Sequence, residues 1–293
     1  MTASTNDLDR AAFYLCLARA FSIPSWPGAC HDLRDALHDD LAELAPACGY
    51  DIADLLATLP ATLADCDDEA LLVRYTRLFL MPGDRHPSLN AAAYLDGAVA
   101  GGSVTALLAC YERCGLDKRE DFADLPDHVT AQLEFLAWLF GSRAAACDGE
   151  PLPPISPDEF IASFIARWVA PLHADIEAAG AHFDVGAHPY AVLAAMLQRA
   201  IAAEATLAPP VASASGVDPE IARLRAQFAG RSLGEEDLAV IRARLAADGL
   251  PSDHVAIPVD ERDRVMGLSA MRPPELPQHN GFFGVRAPGC DGS

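Results

Sequence analysis

Residues 127–140, DHVTAQLEFLAWLF, carry the strongest helical pattern in the chain. Apolar residues recur there at intervals of three and four positions, which places them on one face of an α-helix: Val129, Leu133, Leu136 and Phe140. Asp127 stands at the expected N-cap, and Gly141 is expected to end the helix. The stretch therefore predicts an amphipathic helix with one buried face.

The chain on both sides of this stretch has the same helical character. Periodic apolar patterns predict helices over 7–21, 30–44, 52–63, 68–80, 156–172 and 188–207, with a further helical block over 90–116. The first pattern repeats at helical spacing through Leu8, Ala12, Leu15 and Ala18. Ser156 and Glu159 form a capping box, with Pro157 in the first turn. Because aromatic and β-branched residues are sparse and alanine is abundant, the predicted fold class is all-α.

Breaks in these patterns predict the domain organisation. Residues 1–208 form one globular helical-bundle domain, in which a Pro- and Gly-rich linker at 141–157 joins an N-terminal half, 1–140, to a C-terminal half, 158–208. Residues 209–293 form a C-terminal extension. Two short helices are expected in it, followed by an irregular tail where Pro and Gly recur every few residues.

The formal net charge of −21 excludes several classes of partner. Such a charge repels phosphate groups, so we expect no binding to nucleic acid, and the most apolar run, 97–111, is too short to insert into a membrane. The first helical stretch is preceded by acidic residues and no basic segment, which is untypical of a signal peptide and predicts a cytoplasmic protein. A basic partner would be attracted, although acidic surfaces also keep proteins soluble.

Sequence motifs for catalysis are not found. The eight cysteines have no paired spacing typical of a zinc site, which favours free thiols, and the chain has no Walker loop, GxSxG elbow or HExxH motif. We therefore expect no enzymatic activity, no bound metal and no cofactor.

Two segments are candidates for binding. Asp127 and His128 lie side by side at a helix start, where the helix dipole favours an anionic group and a histidine can donate to a ligand. Residues 74–88, RYTRLFLMPGDRHPS, join an aromatic helix to a rigid loop that could form one wall of a peptide groove. Each segment alone is equally explained by capping or by core packing.

Taken in order, the motifs in these segments resemble the TorD/DmsD/NarJ family of molybdoenzyme assembly chaperones. The blocks that carry the resemblance are Tyr75-Thr76-Arg77-Leu78-Phe79, then Pro82-Gly83 with Pro87, then Pro126-Asp127-His128 with Glu134-Phe135. The 164–168 stretch and the Pro189-Tyr190 helix start are similar to the family's C-terminal half, so the resemblance covers roughly residues 8–207. One departure is Ala92-Ala93-Tyr94, where relatives often carry a Glu-Ser pair before the tyrosine.

The resemblance implies a TorD-like helical fold, no substrate turnover and a client protein as partner. The client would be the catalytic subunit of a molybdopterin-containing enzyme, bound through its signal peptide, which is commonly of the twin-arginine type. The implied leader- and client-binding residues in this sequence are Asp127, His128, Tyr75, Phe79, Pro87, Glu134 and Trp168. The chaperone would be a monomer or a domain-swapped homodimer that exchanges at 141–157.

Two other functions remain open at this point. A small helical metal-dependent hydrolase could use scattered histidines and aspartates, for example His86, Asp127 and His128. An acidic adaptor protein without a leader pocket would fit the charge equally well.

Overall fold

The computed structural model describes residues 3–80, 86–98, 101–118, 124–147, 149–182, 188–207 and 283–285. All of them belong to one of the two units into which the chain divides, the unit of Met1–Val211 and Leu276–Ser293. The two short helices expected in the extension lie outside the described residues, as do Pro82 and Gly83 of the loop motif. The domain limits stay predictions.

The described chain is helical, which confirms the predicted all-α class. Its α-helices are α1 (Ala3–Phe21), α2 (Ala29–His31), α3 (Leu37–Cys48), α4 (Ala53–Thr62), α5 (Asp68–Tyr75), α6 (Ala91–Leu95), α7 (Gly102–Arg113), α8 (Val129–Ala146), α9 (Pro157–Ser163), α10 (Val169–His182) and α11 (Pro189–Leu207). Short π-helical turns follow α2 (Asp32–Ala36) and α5 (Thr76–Leu80), and a 3-10 turn (Ile165–Arg167) follows α9. Two three-residue strands, β1 (Leu116–Lys118) and β2 (Phe283–Val285), pair antiparallel.

Helix α8 lies in the core with more than one face covered. The predicted stripe is buried, but so are the side chains between its members: Ala131, Phe135, Ala137 and Leu139. A helix that is apolar on most sides packs against neighbours all round, and α1 is its main neighbour. The helix continues through Gly141 to Ala146, so the predicted end at Gly141 is wrong. The roughly 1 kcal/mol cost of a glycine within a helix is offset by burial of Ala144 and by the ion pair of Arg143 with Asp7.

The face of α1 that packs against the core is not the one that the spacing of its apolar residues suggested. Its buried residues include Phe13, Tyr14 and Leu17, and Tyr14 stacks on Phe140 of α8 with ring centroids 5.7 Å apart. The predicted period is correct, yet Leu8 and Leu15 are 55 % and 50 % exposed. Because α1 carries apolar residues on two faces, spacing alone did not choose between them.

A buried ion pair holds α1 to the last helix of the bundle. Arg10 Nε lies 2.6 Å from Glu204 Oε1, and the Tyr50 hydroxyl donates to the same oxygen. Glu204 is buried. Since a buried carboxylate needs a charge and hydrogen-bond donors around it, this contact joins three segments that are distant in sequence.

The smaller predicted details have mixed outcomes. The capping box at α9 is confirmed, with Ser156 Oγ accepting the Glu159 N–H at 3.2 Å and Glu159 Oε2 accepting the Ser156 N–H at 3.0 Å. The helix predicted over 156–172 is instead interrupted by the 3-10 turn after Phe164. The seven cysteines among the described residues are free thiols. No helix in these parts of the chain is both long enough and apolar enough to span a bilayer.

Candidate functional site

Asp127 lies just before α8 with 1 % of its surface exposed. Its Oδ2 accepts the N–H of Ala92 at 2.8 Å, while its backbone carbonyl accepts the N–H of Ala91 at 3.1 Å. Burial raises the pKa of the carboxyl group, and the bond from Ala92 opposes that rise. Asp127 therefore ties the start of α6 to the start of α8. At the position where relatives often carry a polar pair, the backbone of Ala92 supplies the polar contact.

The N-cap of α8 is His128 and not Asp127, so the predicted cap was one residue early. His128 Nδ1 accepts the Thr130 N–H at 3.3 Å and lies 2.7 Å from Thr130 Oγ1. The shift has a physical reason, since the carboxylate of Asp127 is engaged by Ala92 and does not turn toward α8. The next N–H, of Val129, donates to the carbonyl of Leu89 at 2.8 Å. The helix start is thus fixed to the segment before α6.

Gln132 connects this helix start to Trp168. Its Nε2 donates to the Asp127 carbonyl at 2.8 Å, and its Oε1 accepts the Trp168 Nε1–H at 3.3 Å. Trp168 is fully buried and stacks on Tyr94, with ring centroids 5.9 Å apart. Sequence reasoning missed both Gln132 and Tyr94 as site residues. A glutamine among apolar residues in the most buried helix was the available signal, because a buried amide needs partners.

Tyr75 and Phe79 lie together at the end of α5 and in the π-helical turn that follows it. Their ring centroids are 5.0 Å apart, and both rings contact Tyr190 at the start of α11, at 5.4 Å and 5.3 Å. Tyr75 is buried and its hydroxyl donates to the Phe21 carbonyl at 3.3 Å. Edge-to-face aromatic contacts of this kind add about 0.5–1.5 kcal/mol each beyond area burial. The pair is mainly a packing element.

Pro87 is buried in the segment that leads from this turn to α6. His86 Nδ1 lies 3.3 Å from the Leu78 carbonyl, and the Ser88 N–H donates to the Tyr94 hydroxyl at 3.1 Å. The segment is therefore held at both ends, by the π-helical turn and by the aromatic ring stacked on Trp168.

Glu134 is half-buried one turn into α8, beside Tyr111. Burial is the main cause that raises the pKa of the Tyr111 hydroxyl, and the charges of Asp127 and Glu134 add to it. The same hydroxyl donates to the Pro126 carbonyl at 3.1 Å. Glu134 thus lies on the side of α8 that supports the loop before it.

The structure brings the predicted residues together as a buried scaffold. We call this set the motif scaffold: Asp127, His128, Tyr75, Phe79, Pro87, Glu134 and Trp168, with Gln132, Tyr94 and Ala92. Most of its side chains are buried, so they position the surface above them and are not themselves open to a ligand.

Large apolar side chains lie exposed beside the motif scaffold. Val73 and Leu80, seven residues apart on the α5 segment, are 47 % and 55 % exposed, and Leu125 in the loop before α8 is 40 % exposed. The loop before α8 lies near α5, because Asp124 of the loop is close to Tyr75 of the helix. Burial raises the pKa of the Tyr75 hydroxyl, and the charge of Asp124 adds to that rise. We call Val73, Leu80 and Leu125 the apolar strip. Exposed apolar side chains are candidates for contact with the apolar part of a bound peptide.

Two recesses open elsewhere on the described surface, and neither is lined by the predicted residues. One, of about 470 Å³, lies between α4, α10 and α11 and is lined by Leu55, His173, Glu177, His188, Ala191, Val192, Ala195, Gln198, Arg199 and Ala202. The other, also of about 470 Å³, lies between α2 and the start of α5. Only the second reaches the helix that carries Tyr75.

The residues of the hydrolase alternative make separate contacts. His86 faces the Leu78 carbonyl, Asp127 faces Ala92, and His128 faces Thr130. Within the described residues, no group of three or more His, Cys, Asp or Glu side chains could hold a metal ion.

Comparison with known proteins identifies the relatives of this scaffold. A family model described as the nitrate reductase delta subunit matches residues 35–174, a range that contains each of the predicted site residues. The resemblance to the TorD/DmsD/NarJ family is confirmed.

Individual relatives of this family match a shorter stretch. The chain is 31 % identical over 114 residues to the chlorate reductase assembly chaperone protein of Ideonella dechloratans and 32 % identical over 114 residues to the selenate reductase assembly chaperone protein of Thauera selenatis. Each match covers 38 % of this chain and 59 % of the relative.

A solved structure from Archaeoglobus fulgidus, described as a redox enzyme maturation protein, is 21 % identical and covers 64 % of this chain and 91 % of that one, with a TM-score of 0.40. At that TM-score, the all-α class rests on the helices described above.

Proposed function

We propose that this chain is an assembly chaperone for the catalytic subunit of a molybdopterin-containing oxidoreductase. It binds the leader of the client, of the twin-arginine type, together with the apo form of the subunit. In doing so it aids cofactor insertion and holds back premature export. The function requires binding and release but no substrate turnover.

The observation that supports the proposal is the exposure of the apolar strip on the two segments that carry Tyr75 and Asp127. Val73 and Leu80 lie in the segment that carries Tyr75, and Leu125 precedes Asp127 by two residues, all within the range that the family model matches. A signal peptide contains an apolar stretch that needs such a surface. Burying one leucine side chain contributes about 1.5–3 kcal/mol, so the three side chains of the strip supply part of the binding free energy and polar contacts must supply the rest.

Charge supports the twin-arginine part of the proposal. Carboxylates lie at both ends of the strip, with Asp67 and Glu69 exposed at the start of α5 and Asp124 half-buried in the loop before α8. Arginine binds carboxylates in a bidentate manner, which gives specificity as well as attraction. The net charge of −21 also speeds the encounter with a basic peptide.

The motif scaffold has a positioning role in this proposal. Asp127, Gln132 and Trp168 fix the start of α8, and with it the loop that carries Leu125. Buried Pro87 and the Tyr94 hydroxyl, which accepts the Ser88 N–H, hold residues 86–88 in place before α6. A preformed surface loses less conformational entropy when the peptide binds, which improves affinity.

The proposed setting is the cytoplasm, where the client is assembled before export. The chaperone acts as a monomer or as a domain-swapped homodimer. Because α8 extends to Ala146, the exchange segment shortens from 141–157 to the residues between α8 and α9.

A peptide-binding experiment tests the proposal. A fluorescently labelled twin-arginine leader peptide is titrated with the full chain, and anisotropy gives Kd. Leu80→Glu should weaken binding by at least about tenfold, since it removes an apolar contact and would leave a charge to be desolvated against the apolar peptide segment. Leu152→Glu is the matched control, because Leu152 is 67 % exposed and lies outside the strip. Equal affinity of Leu80→Glu and wild type for the peptide would show that the peptide does not bind at the apolar strip.

A second peptide separates charge from apolar binding. With lysines in place of the two arginines, the net charge stays constant but the bidentate geometry is lost, and we expect weaker binding. Equal binding of the two peptides would contradict specific recognition of the arginine pair.

A further inference from the structure

Cys30 and Cys66 meet in the core although they are 36 residues apart in sequence. Cys30 lies in α2, and Cys66 directly precedes the N-cap of α5, Asp67. The Cys30 Sγ donates to the Cys66 carbonyl at 3.0 Å, and Cys66 is close enough to add to the burial that raises the pKa of the Cys30 thiol. A disulfide requires this kind of close approach of two side chains.

The backbone around the two thiols is already fixed in place. The carboxylate of Asp68 accepts the N–H of Gly28 at 2.7 Å and the N–H of Cys30 at 2.9 Å. Asp67 caps α5 by accepting the Ala70 N–H at 2.8 Å. These bonds hold the start of α2 against the start of α5, so a covalent bond between the sulfurs would join two segments that are already neighbours.

The two cysteines border a recess of the described surface. Cys30 and Cys66 are 2 % and 8 % exposed, yet both line the recess of about 470 Å³ between α2 and α5. His31, Arg34 and Glu69 stand at its rim. A small reagent that enters the recess comes close to both cysteines, whereas a protein-sized one does not enter it.

We propose that Cys30 and Cys66 form an intramolecular disulfide by exchange with a low-molecular-weight disulfide of the glutathione type. The thiolate of one cysteine attacks a sulfur of the reagent and expels one reduced thiol, which leaves a mixed disulfide. The second cysteine, as its thiolate, then attacks the sulfur of the first and expels the second reduced thiol. The protein loses two hydrogen atoms, and the reagent gains them as two thiols.

The setting of the pair makes this exchange slow. Burial, and then contact with Cys66, raises the pKa of the Cys30 thiol to about 12, so the attacking thiolate is scarce at neutral pH. The pair stays reduced during brief oxidation and reacts under sustained oxidation.

The crosslink would lie beneath the candidate site. The ring of Tyr190 contacts Tyr75 and Phe79. Burial raises the pKa of the Tyr190 hydroxyl, and Cys30 and Cys66 are close enough to add to that rise. The disulfide therefore joins α2 to the start of α5, the helix that carries Val73 and Tyr75.

Disulfide mapping tests this inference and does not depend on the proposed function. The reduced full chain is incubated with glutathione disulfide, free thiols are alkylated, and an unreduced digest is analysed by mass spectrometry. We expect peptides joined through Cys30 and Cys66 as the main crosslinked species in the wild type. They should be absent from Cys30→Ser and Cys66→Ser, and retained in Cys110→Ser, whose thiol is buried in α7.

The contrary result is equally clear in the wild-type chain alone. The inference is overturned if Cys30 and Cys66 are still recovered as alkylated free thiols after sustained incubation, long after exposed Cys147 has reacted with glutathione disulfide, or if other cysteine pairs dominate. Because the wild-type map needs no variant, a serine variant that fails to fold leaves the test valid. Far-UV circular dichroism of each variant identifies such a failure.

Discussion

Replacing Asp127 separates the two contributions that its carboxyl group makes to stability. Asp127→Ala removes the acceptor of the Ala92 N–H and leaves that donor buried without a partner, which costs about 1–3 kcal/mol. Asp127→Asn keeps an oxygen at the same place, so it should be more stable than Asp127→Ala by about 1 kcal/mol or more. Urea unfolding followed by far-UV circular dichroism measures both changes, provided that the m values agree.

The pH dependence of stability in Asp127→Asn and in the wild type gives a second readout. The pKa of Asp127 is raised in the folded state by burial, so the folded chain holds this proton at a pH where the unfolded chain has lost it. The stabilisation from this group is therefore fully present below the pKa that Asp127 has in the unfolded chain. It is lost as pH rises through the pKa that Asp127 has in the folded chain. Asp127→Asn lacks this loss, so its stability relative to wild type should increase from acidic to neutral pH.

Two results would refute this reasoning. Equal unfolding midpoints for Asp127→Ala and Asp127→Asn would mean that the bond from Ala92 contributes nothing. A stability difference between Asp127→Asn and wild type that falls as pH rises would mean that the folded-state pKa of Asp127 is lowered and not raised.

Three further predictions concern other parts of the fold. Leu17 lies in the α1 face that is buried against α8, so Leu17→Ala should lower the free energy of unfolding by about 2–5 kcal/mol. Leu8 is exposed, so Leu8→Ala should change it by less than about 0.5 kcal/mol. Similar values for the two variants would contradict the assigned face. Ser156→Ala should cost about 1 kcal/mol by removing the α9 cap, and a thermal unfolding midpoint equal to that of wild type would count against it. Burial lowers the pKa of His188 to about 4, so its contribution to the free energy of unfolding is lost as pH falls from about 6.5 through 4. In urea unfolding, His188→Asn should therefore lose less stability than wild type over that range. Identical pH profiles for the two proteins would argue against the lowered pKa.

The sequence predicted those elements whose signals are local. The α9 cap was readable because Ser156, Pro157 and Glu159 act within one turn. The helix start at Pro189 and the central helix from Val129 were readable from spacing for the same reason. Local rules failed where tertiary contacts decide, as when Ala92 draws the carboxylate of Asp127 away from the cap position.

The exposed surface of the site was not predictable from the motifs. The resemblance pointed to Asp127, Tyr75 and Trp168, but a motif does not report whether its side chains are buried or exposed. The π-helical turn at Thr76–Leu80 changes the direction of Leu80 relative to a regular helix, and no residue in that stretch signals it. The meeting of Cys30 with Cys66 depends on how α2 packs against α5, which sequence spacing does not contain.

Co-purification with the client tests the central claim most directly. The full chain is expressed with an affinity tag in its native host, and the proteins that remain bound are identified by mass spectrometry before and after deletion of the client's leader. We expect a molybdopterin-containing catalytic subunit that binds the wild type and is lost when its leader is deleted. Binding that survives leader deletion unchanged, or no such subunit bound to a folded wild-type chain, would contradict it.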